Sequence, residues 1–110
     1  IRKKIINLYA DVQKAKVLQR KVLSVAIQDE VPQTEAAVFK LFSTKLHQKL
    51  ANEAMDILGR EGLFRKEYDK SHANGKWEWS YRSTLVDTIG AGTTEIQKNT
   101  IAKKSLKLPL

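Results

Sequence analysis

The stretch "IRKKIINLYADVQKAKVLQRKVLSV", residues 1–25, decides the fold class. Its apolar side chains recur at steps of three and four residues, which is the spacing of one face of an α-helix. These positions are Ile1, Ile5, Leu8, Val12, Ala15, Leu18, Val22 and Val25. Lys14 and Lys21 fall off this stripe. We therefore predict a long amphipathic helix over residues 1 to about 30.

A second helix is predicted from about residue 34 to residue 59. Pro32 cannot continue the first helix, and Thr34 has the hydroxyl side chain of a helix N-cap. Gly59 and Gly62 supply the stop signal at the other end. The apolar stripe of this helix consists of Phe39, Phe42, Leu46, Leu50, Ala54 and Ile57.

The rest of the chain, nearly half of its length, is less regular. Asn74 and Gly75 indicate a turn, and the following "KWEWSYR" alternates like a short extended segment. A last helix is expected to begin at Thr93 or Thr94, because Thr94 and Gln97 have capping-box spacing, and to end before Pro109. The prediction is an all-α fold of two long antiparallel helices and one shorter helix. Because three helices do not easily close a bundle, we expect something outside these residues to cover part of the apolar surface.

Composition limits the classes of protein. A chain of 110 residues fits one domain, residues 1–110, and its 42% hydrophobic content is ordinary for a globular protein. The net charge of +8 is compatible with a polyanion partner, but the basic residues are spread along the whole chain, as on solvated helix faces. There is no cysteine and no apolar run long enough for membrane insertion. A cytoplasmic location is the default expectation, and Ile1 in place of a first Met indicates a fragment.

Three features resemble the C-terminal helical domain of the acyl-CoA dehydrogenase family: "AMDILGREGLFR" at residues 54–65, Arg82, and "IGAGTTEIQKNTIAKKSLKLP" at residues 89–109. The resemblance implies an up-down helical bundle that lacks its first helix here. It also implies an FAD-dependent oxidation of an acyl-CoA substrate to the trans-2-enoyl-CoA by the complete protein. Implied partners are the same or related subunits in a homo- or hetero-oligomer and an electron-transferring flavoprotein, with no nucleic acid. The 110 residues alone are expected to be inactive.

The resemblance also implies where the cofactor is contacted. Thr93 and Glu95 occupy positions at which the family contacts FAD. Asp56, Gly59 and Gly62 occupy positions that meet the FAD pyrophosphate of an adjacent subunit.

Three positions depart from the family pattern. Asp56 stands where glutamine is common, and Arg60 stands where glycine is common. A carboxylate facing a phosphate is unfavourable unless solvent or Arg60 compensates for it. Ala91 occupies the position of the glutamate base in one branch, and a methyl group takes no proton. No catalytic residue is therefore predicted, and a non-catalytic, structural family member is the alternative. A basic nucleic-acid-binding module is a third hypothesis that rests on charge alone.

Other side chains with chemical potential have simpler interpretations. Glu95 suits the helix dipole better than the role of a base. We expect His47 and His72 to be solvated or structural, since neither belongs to a partner motif. Trp77 and Trp79 are expected to pack rather than to stack on a base or adenine. No metal site is predicted.

Arg82 has two interpretations that the sequence does not separate. Its guanidinium group could pair with a cofactor phosphate or form an ion pair that holds the neighbouring loop.

Overall fold

The computed structural model describes residues 1–68 and 71–109, and it leaves the side chain of His72 undescribed. Within this part of the chain the fold is all-α, with four α-helices. They are α1 (Arg2–Ala26), α2 (Gln33–Leu58), α3 (Lys76–Asp87) and α4 (Thr94–Thr100). Single turns of 3-10 helix follow α2 at Gly59–Leu63 and precede α3 at His72–Gly75, and a π-helical turn at Ile101–Ser105 extends α4.

Helix α2 is the centre of the fold, because α1, α3 and α4 each pack against it. The buried apolar side chains of the described residues, Ala37, Leu46 and Ala51, all belong to α2. Ion pairs join Lys4 to Glu53 and Asp11 to Lys49, so α1 and α2 run antiparallel. Gln48 donates to the carbonyl of Thr84, and His47 lies opposite Asp87, so α2 and α3 are also antiparallel.

The predicted stripe of α1 is the face that meets α2. Its residues from Leu8 to Val25 are half-buried, whereas Ile1 and Ile5 at the beginning of the stripe are exposed. None of the residues of α1 is fully buried. The helix is therefore held along one side only, and Ile6, Tyr9 and Val17 on its other side face outward.

The molecule is long and open. Its principal extents are 51 × 26 × 24 Å, and its radius of gyration is 16.9 Å. A compact chain of this length has a radius of gyration of about 13 Å. Large apolar side chains of α3 and α4 remain exposed, including Val86 at 65% and Ile96 at 54%. This agrees with the expectation that the helices here leave apolar surface uncovered.

The predicted start of the last helix at Thr93 or Thr94 is confirmed, since α4 begins at Thr94, but both predicted N-cap residues were wrong. Helix α2 begins at Gln33 with Pro32 as its N-cap, so Thr34 lies inside the first turn and caps nothing. Helix α4 is capped by Thr93, whose hydroxyl accepts a hydrogen bond from the amide of Ile96 at 3.2 Å. The stop signal was correct, because Gly59 ends α2 with a φ of +57°.

The segment "KWEWSYR" was predicted to be extended, and this was wrong, because it forms the first half of α3. The predicted turn at Asn74 and Gly75 is present, and it releases the chain directly into this helix. Trp77, Ser80 and Thr84 then face α2 at steps of three and four residues. Two of these, Ser80 and Thr84, are small hydroxyl residues and do not count as apolar. The helical spacing is therefore not visible in the apolar pattern, which shows only the alternation of aromatic and charged residues.

None of the helices in the described ranges combines the length and the apolarity that a membrane span requires.

Candidate functional site

The first group of predicted cofactor residues lies at the C-terminal end of α2. Asp56, Gly59 and Arg60 line one side of an open groove, and Tyr81 of α3 lies on the other. A Cβ atom added to Gly59 would meet nothing within 4 Å, so the glycine is required by its positive φ and its surroundings are free for a ligand.

Gly62 has a different role from Gly59. It is buried, and a Cβ atom there would lie 3.1 Å from the Cβ of Leu58 and 3.2 Å from the sulfur of Met55. The residue lets the turn after α2 fold tightly back onto the helix. Gly62 therefore supports the turn beneath the groove without lining it, while Asp56, Gly59 and Arg60 form the groove surface.

The charge of Asp56 is compensated by α1 rather than by Arg60. The ammonium group of Lys4 lies 3.1 Å from Oδ2 of Asp56 and 2.6 Å from Oε2 of Glu53. These two carboxylates, Glu53 first, raise the pKa of Lys4 above its usual value. A phosphate in the groove would therefore meet a carboxylate that already has a cationic partner, together with the exposed side chain of Arg60.

The second group of predicted residues surrounds the loop before α4. Thr93 is half-buried and caps α4, whereas Ala91 and Glu95 are exposed. Ala91 and Gly92 have φ values of +54° and +97°, so the backbone of this loop lies in the left-handed region. Alanine adopts such a conformation only when its surroundings hold it there.

Side chains from two helices hold this loop. The ammonium group of Lys40 on α2 donates to the carbonyls of both Gly90 and Gly92. The side-chain amide of Gln97 donates to the carbonyl of Ala91 at 3.3 Å. The amide groups of Ala91, Gly92 and Thr93 have no acceptor within residues 1–68 and 71–109. The loop therefore presents backbone donors, while its carbonyls are bound internally.

The two groups of residues do not form a single site within the chain. Lys40, which holds the second group, and Asp56 in the first are separated by about 24 Å along the axis of α2, at about 1.5 Å per residue. Each group is open to the outside, and neither encloses a ligand on its own.

Arg82 forms an ion pair with Glu78, which agrees with one of the two interpretations of this residue. Its Nε and Nη2 atoms lie 2.6 and 3.1 Å from the two carboxylate oxygens of Glu78, one helical turn earlier. Arg65, in the loop after α2, approaches the same carboxylate at 3.8 Å. The hydrogen bonds from Arg82 are the main cause of the lowered pKa of Glu78. The cluster links the loop to α3.

Three of the aromatic and imidazole side chains line a groove between α2 and α3: His47, Trp77 and Trp79. His47 Nδ1 is 3.3 Å from Oδ2 of Asp87, which is a structural link between the two helices. Trp77 is half-buried, and the ammonium group of Lys76 lies 5.8 Å from its ring centroid. Trp79 is 62% exposed, so within this chain its packing is only partial. The side chain of His72 lies outside the described part of the structure.

Sequence reasoning missed Lys4 and Lys40. Each acts on residues about fifty positions away in the chain, and a lysine on a helix carries no local signal of such a partner. Among the described residues no group of three His, Asp or Glu side chains is arranged to hold a metal ion.

Comparison with known proteins places the chain in a family. The family model of the acyl-CoA dehydrogenase C-terminal domain matches residues 1–106. The acyl-CoA dehydrogenase IpdE1 of Mycobacterium tuberculosis is 38% identical over 74 residues, which are 66% of this chain and 18% of that protein. The probable acyl-CoA dehydrogenase YngJ of Bacillus subtilis is 37% identical over 73 residues, 66% of this chain and 17% of that protein.

Solved structures agree with this assignment. The structure titled "Tcur3481-Tcur3483 steroid ACAD" superposes with a TM-score of 0.92 at 26% identity, covering 98% of this chain and 28% of that chain. The ChsE4-ChsE5 complex from Mycobacterium tuberculosis has the same fold, with a TM-score of 0.88 at 24% identity over 99% of this chain and 28% of that chain. The chain thus spans less than a third of each of these four proteins. It belongs to the acyl-CoA dehydrogenase family and has the fold of that family's C-terminal helical domain.

Proposed function

We propose that the chain is the C-terminal part of an FAD-dependent acyl-CoA dehydrogenase and contributes surface to FAD sites at subunit interfaces. The family match over residues 1–106 is the observation that carries this proposal. The reaction is the α,β-dehydrogenation of an acyl-CoA thioester. FAD, when bound, would take up the hydride that leaves the β-carbon, and a carboxylate elsewhere in the complete protein or its partner would take the α-proton.

The residues of the loop before α4 fit a polar cofactor edge. The amide groups of Ala91, Gly92 and Thr93, which have no acceptor among the described residues, are donors for carbonyl or hydroxyl oxygens. The hydroxyl of Thr93 accepts from the amide of Ile96, and its own proton is left for an acceptor on the ligand. Glu95 is exposed beside them and supplies a carboxylate at the first turn of α4.

The groove at the end of α2 fits a second contact with the cofactor. The ammonium group of Lys4 offsets the carboxylate of Asp56, Arg60 lines the same groove, and Gly59 leaves the backbone accessible. Since this groove and the loop lie about 24 Å apart along α2, we infer that they contact two different cofactor molecules. Such an arrangement requires at least two subunits.

Ala91 favours a second candidate function. It stands where one branch of the family carries its base, and its methyl side chain takes no proton. A subunit without a base would complete the cofactor site of an unlike partner. The paired names of the two structural neighbours support a hetero-oligomer of this kind.

The experiment is made on the native protein that carries these residues. FAD released on denaturation is measured, and oxidation of acyl-CoA thioesters is followed with an artificial electron acceptor. Straight-chain and sterol-derived thioesters are both tested, since one structural neighbour is titled a steroid ACAD. Flavin with turnover supports the enzyme, and flavin that appears only with an unlike partner supports the structural subunit.

A matched series tests the role of Thr93. Thr93→Val removes the hydroxyl and is expected to weaken FAD binding, whereas Thr93→Ser keeps it. Thr100→Val is the control, because the hydroxyl of Thr100 is bound to the carbonyl of Ile96 and lies away from the loop. Equal FAD affinity in all three variants would refute the assignment of Thr93 to the cofactor site. The cytoplasmic location, the electron-transferring flavoprotein and the absence of nucleic-acid binding stay predictions.

A further inference from the structure

The loop before α4 has an unusual pattern of hydrogen bonds. The carbonyls of three successive residues, Gly90, Ala91 and Gly92, all accept from side chains. Lys40 binds the first and the third, and Gln97 binds the second. These bonds occupy the loop carbonyls, whereas the amide groups of Ala91, Gly92 and Thr93 have no acceptor among the described residues.

Lysine suits the position on α2. An ammonium group has three donors and no acceptor, so one side chain can serve two carbonyls at once. Hydrogen bonds from a charged donor are roughly twice as strong as those between neutral groups. Lys40 is half-buried, and its carbonyl also accepts from the hydroxyl of Thr44, so its backbone is fixed within α2.

The loop backbone needs such support. Ala91 and Gly92 both have positive φ values, and a Cβ atom on Gly92 would lie 2.6 Å from the side-chain nitrogen of Gln97. The chain after the loop depends on the same geometry, because the amide of Thr94 donates to the carbonyl of Thr88 at 3.1 Å. A change in the loop would therefore also move Thr93 and Glu95.

We propose that Lys40 is a positioning residue for the cofactor surface: by binding the carbonyls of Gly90 and Gly92, it holds the loop in the conformation that leaves the amide groups of residues 91–93 without an internal acceptor and fixes the places of Thr93 and Glu95. The proposal rests on the proposed FAD-binding function for its second half. Its first half, the fixing of the loop, stands on the hydrogen bonds alone.

The test uses the native protein with three substitutions. Lys40→Met keeps the aliphatic stem and removes the donors, and Lys40→Arg restores donors on a longer side chain. Lys45→Met is the matched control, because Lys45 lies on the same helix and its exposed side chain has no hydrogen bond or ion pair among the described residues. Amide hydrogen exchange of residues 88–97 and FAD affinity are measured for each.

Lys40→Met is expected to speed exchange about tenfold or more at the hydrogen-bonded amides of Thr94, Ile96 and Gln97, and to weaken FAD binding by a similar factor. Exchange in α1 should not change, Lys40→Arg should recover part of both effects, and Lys45→Met should match the wild type. Thermal unfolding confirms that each variant is folded. If Lys40→Met unfolds the protein, Gln97→Met is used, since it frees the carbonyl of Ala91 alone and should produce the same two effects.

Separate results overturn the two halves. Unchanged exchange at Thr94, Ile96 and Gln97 in the folded Lys40→Met protein would refute the fixing of the loop. Faster exchange with unchanged FAD affinity would refute the positioning of the cofactor surface. If the wild-type protein binds no FAD, the proposed function fails, and exchange still decides whether Lys40 fixes the loop.

Discussion

Substitution of Gly75 by alanine should destabilise the fold more than the same substitution at Gly59 or Gly90, whose surroundings are more open. Gly75 has a φ of +68° and a ψ of +16°, and it is buried against the loop after α2. A Cβ atom there would lie 2.5 Å from the amide nitrogen of Lys66 and 2.8 Å from the carbonyl carbon of Arg65. Both are backbone atoms, so no side chain can move aside to relieve the contact.

The expected loss has two parts. The left-handed conformation costs an alanine about 1–2 kcal/mol. Forcing a methyl group into packed backbone costs roughly 1–3 kcal/mol more. The free energy of unfolding should therefore fall by about 2–5 kcal/mol, which is a large share of the ~5–15 kcal/mol of a typical domain.

Two other glycines separate these contributions. Gly59 has a φ of +57° and a ψ of −133°, a conformation outside the left-handed helical region that also favours glycine, and nothing lies within 4 Å of the position that a methyl group would take, so Gly59→Ala should show a conformational cost without a steric one, about 1–3 kcal/mol. Gly90 lies outside the left-handed region, and a Cβ atom there would only touch the carbonyl oxygen of Val86 at 3.4 Å. Gly90→Ala should be close to neutral. The effect of alanine on the unfolded chain is common to all three variants and cancels in the comparison.

Urea unfolding followed by circular dichroism gives the order of stability. At about 1–3 kcal/mol per molar urea, Gly75→Ala should lower the midpoint by about 1 M or more. The order should be Gly90→Ala, then Gly59→Ala, then Gly75→Ala as the least stable. A Gly75→Ala midpoint equal to that of Gly90→Ala would refute the left-handed turn and its contact with residues 65 and 66.

Three further predictions concern the helices. Thr93→Ala should cost about 1 kcal/mol of unfolding free energy and Thr94→Ala clearly less, because only Thr93 caps α4; equal losses in urea unfolding would contradict this assignment. Hydrogen bonds from Lys49, and then from Lys14, lower the pKa of Asp11. The stability that the ionised carboxylate of Asp11 contributes is therefore fully present above its unfolded pKa of about 3.9, and it is lost as pH falls through the lower pKa of the folded state. Between about pH 5 and pH 2 the wild type should therefore lose more stability than Asp11→Asn, and equal losses would show that the pair between α1 and α2 is not formed. Ala51→Leu should destabilise by roughly 1–3 kcal/mol, because Ala51 is 1% exposed where α2 meets α3, and an unchanged melting temperature would argue against that packing.

Sequence periodicity predicted the long helices well because their stripes are made of large aliphatic residues. Leu8, Val12 and Leu18 of α1 face α2 as expected, and Leu46 of α2 is buried. The end of α2 at Gly59 was predictable for a local reason, since a positive φ favours glycine.

Helix α3 was missed because its inner face is built differently. Thr84 is buried there and Ser80 is half-buried, so the residues that pack against Ala51 are polar in any hydropathy pattern. Small side chains on both helices let their backbones approach, and a pattern based on apolar residues does not detect this.

The resemblance to known motifs located the candidate cofactor residues, but it did not reveal what holds them in place. The partner of Asp56 is Lys4, and the loop of Ala91 is held by Lys40. Both contacts join residues from distant parts of the chain, so they depend on the packing of α1 and α4 against α2 and not on any local spacing.

The measurement that tests the central claim most directly is the intact mass and flavin content of the natively purified protein that carries these residues. The proposed function predicts a polypeptide much heavier than 12.5 kDa that releases FAD when it is denatured. A polypeptide of 12.5 kDa that folds without any flavin, alone or with its natural partner, would contradict it.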